Sequence, residues 1–310
     1  MTIKDQFTSF IHELQDEICQ GLETLDGEAT FQEDKWDRPE GGGGRTRIIA
    51  DGDVFEKGGV NISTVHGELN PALQKQLSVS HSTFYACGLS LVIHPYSPMV
   101  PTVHANYRFF ELYDAQGEPV DRWFGGGADL TPYYLWPEDA IHFHQTQKQA
   151  SDEIDPNVYP VFKKACDAYF FNHHRNEARG IGGTFFDYLR DGKMGLNTDC
   201  WHRYTTNMGK AFLPSYLPIV ERRKDDIYFP EHKEWQEHRR GRYVEFNLIH
   251  DKGTLFGLRS NGRIESILMS LPPTVRWAYN HQPEPGTREA ETLEYLKPRD
   301  WASETIPSSS

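Results

Sequence analysis

A chain of 310 residues with 37% hydrophobic and 13% aromatic content is long enough to bury a sizeable core. Its formal net charge of −13 argues against general nucleic-acid binding, which needs a broad basic footprint. No apolar run approaches the length of a membrane span, so no integral membrane segment is expected.

The first expected element is a helix over residues 1–25. Ile3, Phe7, Ile11, Leu14, Ile18, Leu22 and Leu25 recur at three- and four-residue spacing and form one apolar stripe. The segment is amphipathic and Thr2 follows Met1, so neither a signal peptide nor a myristoylation site is expected. Gly41 to Gly44 is the only obvious boundary, and residues 1–310 read as one domain with a disordered tail at about 303–310.

Strands are expected to dominate from about 45 to 130. Ser90 and His94 alternate onto one face of a strand, and His104, Asn106 and Arg108 onto one face of the next. A core strand would have to satisfy each of those polar groups separately, so the row reads as a ligand floor. The other face, with Val103, Ala105, Tyr107 and Phe109, suits packing against a second layer. Asp114 to Glu118 reads as a hairpin loop that sets Arg108 opposite Gly125 and His104 opposite Asp129. Gly125 to Gly127 alone reads as a bulge or loop. Facing the polar row, these glycines leave room for a ligand.

Further helices are expected at 137–150, carrying His142 and His144, at 160–175, closed by His173 and His174, and near 264–270. Strands are expected again across Tyr243 to Leu258. Hairpins connect the strands, which indicates an α+β fold, a large mainly antiparallel sheet flanked by helices. Cys19, Cys87, Cys166 and Cys200 are scattered. They propose no disulfide framework and no cysteine metal site, and they place the chain in a reducing cytoplasm. Neither glycine run fits a P-loop or a dinucleotide fingerprint. Among the arginines, Arg108 and Arg263 are the two assigned to a carboxylate ligand, because a guanidinium fork can bind both oxygens. The turn Ser260-Asn261-Gly262-Arg263 would present backbone N–H groups beside the second.

The segments Phe55 to Asn61, His94-Pro95-Tyr96, Pro98 to Arg108, Trp123 to Tyr134, Arg179 to Gly183, Pro218 to Lys224, Arg239 to Leu248 and Glu265 to Arg276 closely resemble the oxygen-dependent coproporphyrinogen-III oxidases. They recur in order over roughly residues 40–285. The resemblance implies oxidative decarboxylation of two propionates of coproporphyrinogen III to vinyl groups, giving protoporphyrinogen IX in haem biosynthesis, with dioxygen as acceptor. It implies no flavin, nicotinamide, haem or iron–sulfur cluster. Substrate contacts would come from Ser90, Asn106, Tyr107 (through its backbone or a ring contact), Arg108, Asn261, Gly262 and Arg263. Asn261 departs from the family's usual glycine, and Lys252 stands where many members carry arginine. His104 would be the proton donor, since imidazole ordinarily titrates near ~6.5, with Asp129 as base or partner. A divalent metal cation is implied at His94, His104, His144 and His174; their spacing alone is a weak metal signal. A homodimer is implied with an interface over about 243–278. The anaerobic iron–sulfur enzyme for the same conversion needs a tight cysteine triplet, which is absent here. A non-catalytic tetrapyrrole-binding protein is the alternative reading, and a histidine-ligated metallohydrolase a more distant third.

Overall fold

The computed structural model describes residues 1–69, 74, 83–259 and 262–305. Its centre is a seven-stranded antiparallel sheet of β1 (Gln32–Asp37), β2 (Gly42–Ala50), β3 (Phe55–Glu68), β4 (Thr83–Pro95), β5 (Thr102–Tyr113), β6 (Pro119–Thr131) and β9 (Gly182–Leu189), in that spatial order. The expected α+β class, with its antiparallel sheet, is what is observed.

The helix α1 (Ile3–Asp26) lies across the apolar face. Thr2 and Asp5 cap its first turn reciprocally, and Gly27, in the left-handed region, ends it. Phe7, Ile11, Leu14, Ile18 and Leu22 from the expected stripe are buried with Val60, Ile62, Leu89, Leu91, Val103, Ala105, Tyr107 and Phe109 from the sheet. Two helices not anticipated from the sequence, α4 (Thr198–Lys210) and α5 (Phe212–Arg223), add Trp201, Tyr204, Met208, Tyr216 and Ile219 to the same core. The helix α2 (Pro137–Asp152) is found where expected.

Three expectations need correction. Gly41 to Gly44 are not a boundary: Gly42 to Gly44 pair with Val65 to Ser63 on one side, and Gly43 and Gly44 with Asp37 and Trp36 on the other, inside the sheet. The helix α3 (Val158–Tyr169) stops before the histidine pair, and a small hairpin of β7 (Phe171–Asn172) and β8 (Glu177–Ala178) holds His173 and His174 in its turn. Tyr243 to Leu258 is helical, divided between α6 (Pro230–Ile249) and α7 (Lys252–Arg259). Most buried residues of α6, at 235/236, 239/240, 243/244 and 246/247, follow helical spacing, and a reading limited to the aromatic run after 243 misses that period. Asp251 caps the start of α7, its Oδ2 accepting from Thr254 N at 2.7 Å. The short α8 (Ile264–Leu268) is where a helix was expected, and α9 (Arg288–Tyr295) follows it. No helix among the described residues is long and apolar enough to cross a membrane.

Candidate active site

The polar face of the sheet gathers most of the expected site residues. Strand register pairs His104 with Asp129, Asn106 with Gly127 and Arg108 with Gly125, as the hairpin reading required. It also sets Ser90 opposite Asn106 and Val92 opposite His104. On the next strand Asn61 faces Ser90. Ser90, Asn106, Arg108 and His104 are all half-buried at this surface. Tyr107 points the other way: its ring is buried in the core and its hydroxyl donates to the Met208 carbonyl at 2.9 Å, so only its backbone reaches the polar face.

His104 has one committed nitrogen. Its Nδ1 lies 2.8 Å from Asp129 Oδ1. A carboxylate only accepts, so Nδ1 holds the proton and Nε2 carries the lone pair. That Nε2 has no hydrogen bond among the described residues. Asp129 is 1% exposed, and Arg179 donates from Nη2 to both its oxygens at 2.8 and 2.7 Å. Burial alone would raise the Asp129 carboxyl, but the Arg179 guanidinium and the His104 hydrogen bond outweigh it and hold it below the usual carboxylate range. Asp129 is therefore an ionised, inaccessible carboxylate that reaches a ligand only through His104. Arg179 is itself enclosed, stacked over Phe170 at 4.1 Å and Tyr243 at 4.7 Å, with Nη1 donating to Asn247.

Arg108 is more open. Its Nη1 donates to Asn106 Oδ1 at 2.9 Å, and its Nη2 lies 3.0 Å from Asp187 Oδ1. A Cβ at Gly125 would stand 2.7 Å from Arg108 Nε and 2.8 Å from Asp187 Oδ1. The room the glycine leaves is used by the guanidinium and its counter-charge, not by empty floor. At the other edge Arg263 pairs with Asp34 and donates from Nη1 to Ser266 Oγ at 3.0 Å. The Gly262 amide, expected to be available, donates to Gly257 O at 2.9 Å. Asn261 lies outside the described residues. Two surface grooves, about 450 and 460 Å³, lie around Tyr228 to Glu237 and around Glu28 to Asp51. Neither contains any of these groups, and the sheet face is the better candidate on chemistry.

The four histidines implied as metal ligands are not brought together. His94 donates from Nε2 to Ser270 O and accepts at Nδ1 from the Thr102 hydroxyl. His144 donates from Nε2 to Ile181 O and accepts at Nδ1 from the Tyr159 hydroxyl. Both rings are fully buried, and burial drives His94 well below its ordinary range and His144 down to about 3. His174 bonds Glu245 and His250. A metal needs a free lone pair, and only His104 offers one. Among the described residues no three histidine, cysteine or acidic side chains are grouped to hold an ion. The residues present do not fit the implied metal.

Residues 6–301 match the family described as coproporphyrinogen III oxidase. The chain belongs to that family. It is 47% identical to coproporphyrinogen-III oxidase 1, chloroplastic, of Arabidopsis thaliana, over 97% of this chain and 80% of the plant protein. It is 50% and 51% identical to the oxygen-dependent coproporphyrinogen-III oxidases of Prochlorococcus marinus (strain NATL2A) and Parasynechococcus marenigrum (strain WH8102). Those matches cover 93% of this chain and 88% and 84% of the respective relatives. Sequence reasoning left three residues of the family member's site unassigned. Arg179 enters the sequence reading only as part of a matched segment, and Asp187 lies in β9, a strand not expected from the sequence. Asn61 sits in a matched segment, and its cross-strand position opposite Ser90 is the signal that could have found it.

Proposed function

We propose that this protein is an oxygen-dependent coproporphyrinogen-III oxidase, converting two propionates of coproporphyrinogen III to vinyl groups in haem biosynthesis. The observation that carries the reading is the oriented His104, with its open Nε2, on the same sheet face as the Arg108 fork. For each propionate, a hydrogen leaves the carbon beta to the carboxylate, the bond to the carboxyl carbon breaks, and CO2 and a vinyl group form. The departing hydrogen supplies two electrons and one proton, which with a second proton from solvent reduce one dioxygen to hydrogen peroxide. An electron-rich pyrrole can delocalise developing charge, so the chain's task is placement and proton transfer.

Arg108 takes a propionate carboxylate in a charge-assisted contact, exchanging part of its pairing with Asp187 for the ligand. The Asn106 amide and the Ser90 hydroxyl, which has no partner among the described residues, complete the contact. His104 handles the proton at Nε2, and Asp129 with Arg179 fixes the tautomer that leaves this nitrogen available. Gly262 and Arg263 stand at the far edge of the same face, and Asn261 is assigned to the substrate with them on the family resemblance alone. No step is routed through a metal.

A homodimer is supported by apolar side chains left outside on the 243–278 stretch: Leu248, Ile249, Leu258, Ile264 and Trp277 are 40% to 59% exposed. A cytoplasmic, reducing setting is supported by four free cysteines, three of them buried. The deciding experiment incubates purified protein with coproporphyrinogen III with and without oxygen and separates the porphyrin products by chromatography. Protoporphyrinogen IX is expected only aerobically. Equal turnover under strict anoxia, or none by folded protein in air, would refute the reading.

A further inference from the structure

We infer that Asn61 is a further substrate-binding residue, holding a carboxylate of the macrocycle other than the one on Arg108. The inference rests on the tetrapyrrole reading above and adds to it a second anchoring point. Asn61 in β3 faces Ser90 in β4, which faces Asn106 in β5, so three hydrogen-bonding side chains cross the polar face in one row.

The direction of the bonds behind Asn61 decides what it can bind. Trp36 Nε1 donates to Thr46 Oγ1 at 3.2 Å, and Arg263 Nη1 donates to Ser266 Oγ at 3.0 Å. Indole and guanidinium nitrogens only donate, which leaves each hydroxyl its own proton to give onward. Asn61 Oδ1 can only accept, so it takes the Thr46 proton at 2.5 Å, and Ser266 in turn donates to Thr46 Oγ1 at 2.9 Å. The chain of bonds ends on the amide oxygen of Asn61 and fixes the orientation of that amide. What is left for a ligand is the NH2 group, which has no partner among the described residues. Asn106 is arranged alike, its oxygen occupied by Arg108.

A group that can only donate selects an acceptor. A carboxylate oxygen fits; a pyrrole N–H does not. Two strand spacings of ~4.8 Å separate Asn61 from the strand of Arg108, roughly 10 Å, too far for one carboxylate to meet both. A macrocycle with four propionates spans that gap.

The test is steady-state kinetics with coproporphyrinogen III in air. Asn61→Ala should raise KM by about 10- to 100-fold, the loss of a hydrogen bond to a charged group, with kcat within roughly threefold. Asn61→Asp, which turns the donor into an anion, should raise it further. The effects of Asn61→Ala and Arg108→Ala should multiply, because different carboxylates are involved. Thr46→Val, which frees the amide to turn, should raise KM in the parent protein and add nothing in Asn61→Ala. Unchanged KM in both folded Asn61 variants would overturn the inference, as would an effect of Thr46→Val that persists without Asn61. A parent protein with no turnover would overturn the functional reading itself, which separates the two failures.

Discussion

Replacing Arg179 with methionine should cost about 3–5 kcal/mol of stability, the penalty for leaving a buried carboxylate without its cation. The size follows from the enclosure: the side chains of Arg179 and Asp129 are 2% and 1% exposed, and Arg179 Nη2 reaches both oxygens. Methionine keeps most of the volume against Phe170 and Phe246, so packing alone should contribute little. Urea unfolding at pH 7, with the slope checked for constancy, measures the loss.

The pH dependence separates this cause from a general loss of packing. In the parent protein the Asp129 carboxyl is held below its unfolded value. It therefore contributes stability that is fully present above the unfolded value and is lost as pH falls through the folded one. Without Arg179, burial becomes the dominant influence and raises that carboxyl. The variant then carries a penalty that grows as pH rises, by up to about 1.4 kcal/mol per unit until the raised value is passed. The stability gap between parent and variant should widen from pH 5 to pH 8. Adding Asp129→Asn should recover much of the loss, since the uncompensated charge is gone. A loss under about 1 kcal/mol, a gap independent of pH, or strictly additive double-mutant costs would refute the argument.

Arg108→Ala should raise KM with little change in the urea midpoint, because a charge-assisted contact worth roughly 1.5–3 kcal/mol is removed from a partly open site. His104→Ala should instead lower kcat, and near-normal turnover by the folded variant would remove the proton-transfer role. Gly125→Ala places a methyl 2.7 Å from Arg108 Nε and should raise KM by displacing that guanidinium, which steady-state kinetics would show. His144 is buried neutral and its pKa is depressed to about 3, so stability should fall as pH drops below the unfolded value near ~6.5 and continue to fall toward 3. His144→Ala should flatten that dependence without changing the divalent-metal content found after reconstitution; loss of one bound ion per chain would restore the four-histidine site. Leu248→Glu should dissociate the dimer in light scattering, and a parent protein that is monomeric at micromolar concentration would confine the 243–278 stretch to the subunit.

The parts of this fold that were legible in the sequence are those set by short-range pattern. Alternation on either side of the Asp114 to Glu118 loop placed Arg108 opposite Gly125 and His104 opposite Asp129, because a hairpin loop fixes register and the period of two fixes the face. The stripe from Phe7 to Leu22 similarly fixed both a helix and its buried side. The stretch after Tyr243 misled for a complementary reason. Tyr243-Val244-Glu245-Phe246 satisfies a strand's composition, and only the wider spacing from Trp235 to Asn247 reveals a helix. Arg179 was visible as a cation but not as the partner of Asp129, since that pairing joins the segment before β9 to β6 and depends on a cavity walled by α3 and α6.

The histidines show where residue type stops being informative. His94, His104, His144 and His174 have equal chemical capacity as ligands, and sequence position gives no means of separating them. The fold separates them by what each lone pair already does. A threonine hydroxyl occupies that of His94, a tyrosine hydroxyl that of His144, and a second imidazole that of His174. His104 alone has its proton drawn to one nitrogen by a buried carboxylate and the other nitrogen left open. The same accounting applied to amides, by asking which end of Asn61 and Asn106 is already bonded, turns a row of polar residues into a row of donors. A polar face therefore acquires its specificity from the groups behind it, and Thr46, Ser266, Asp129 and Arg179 shape what the sheet can bind without touching the ligand.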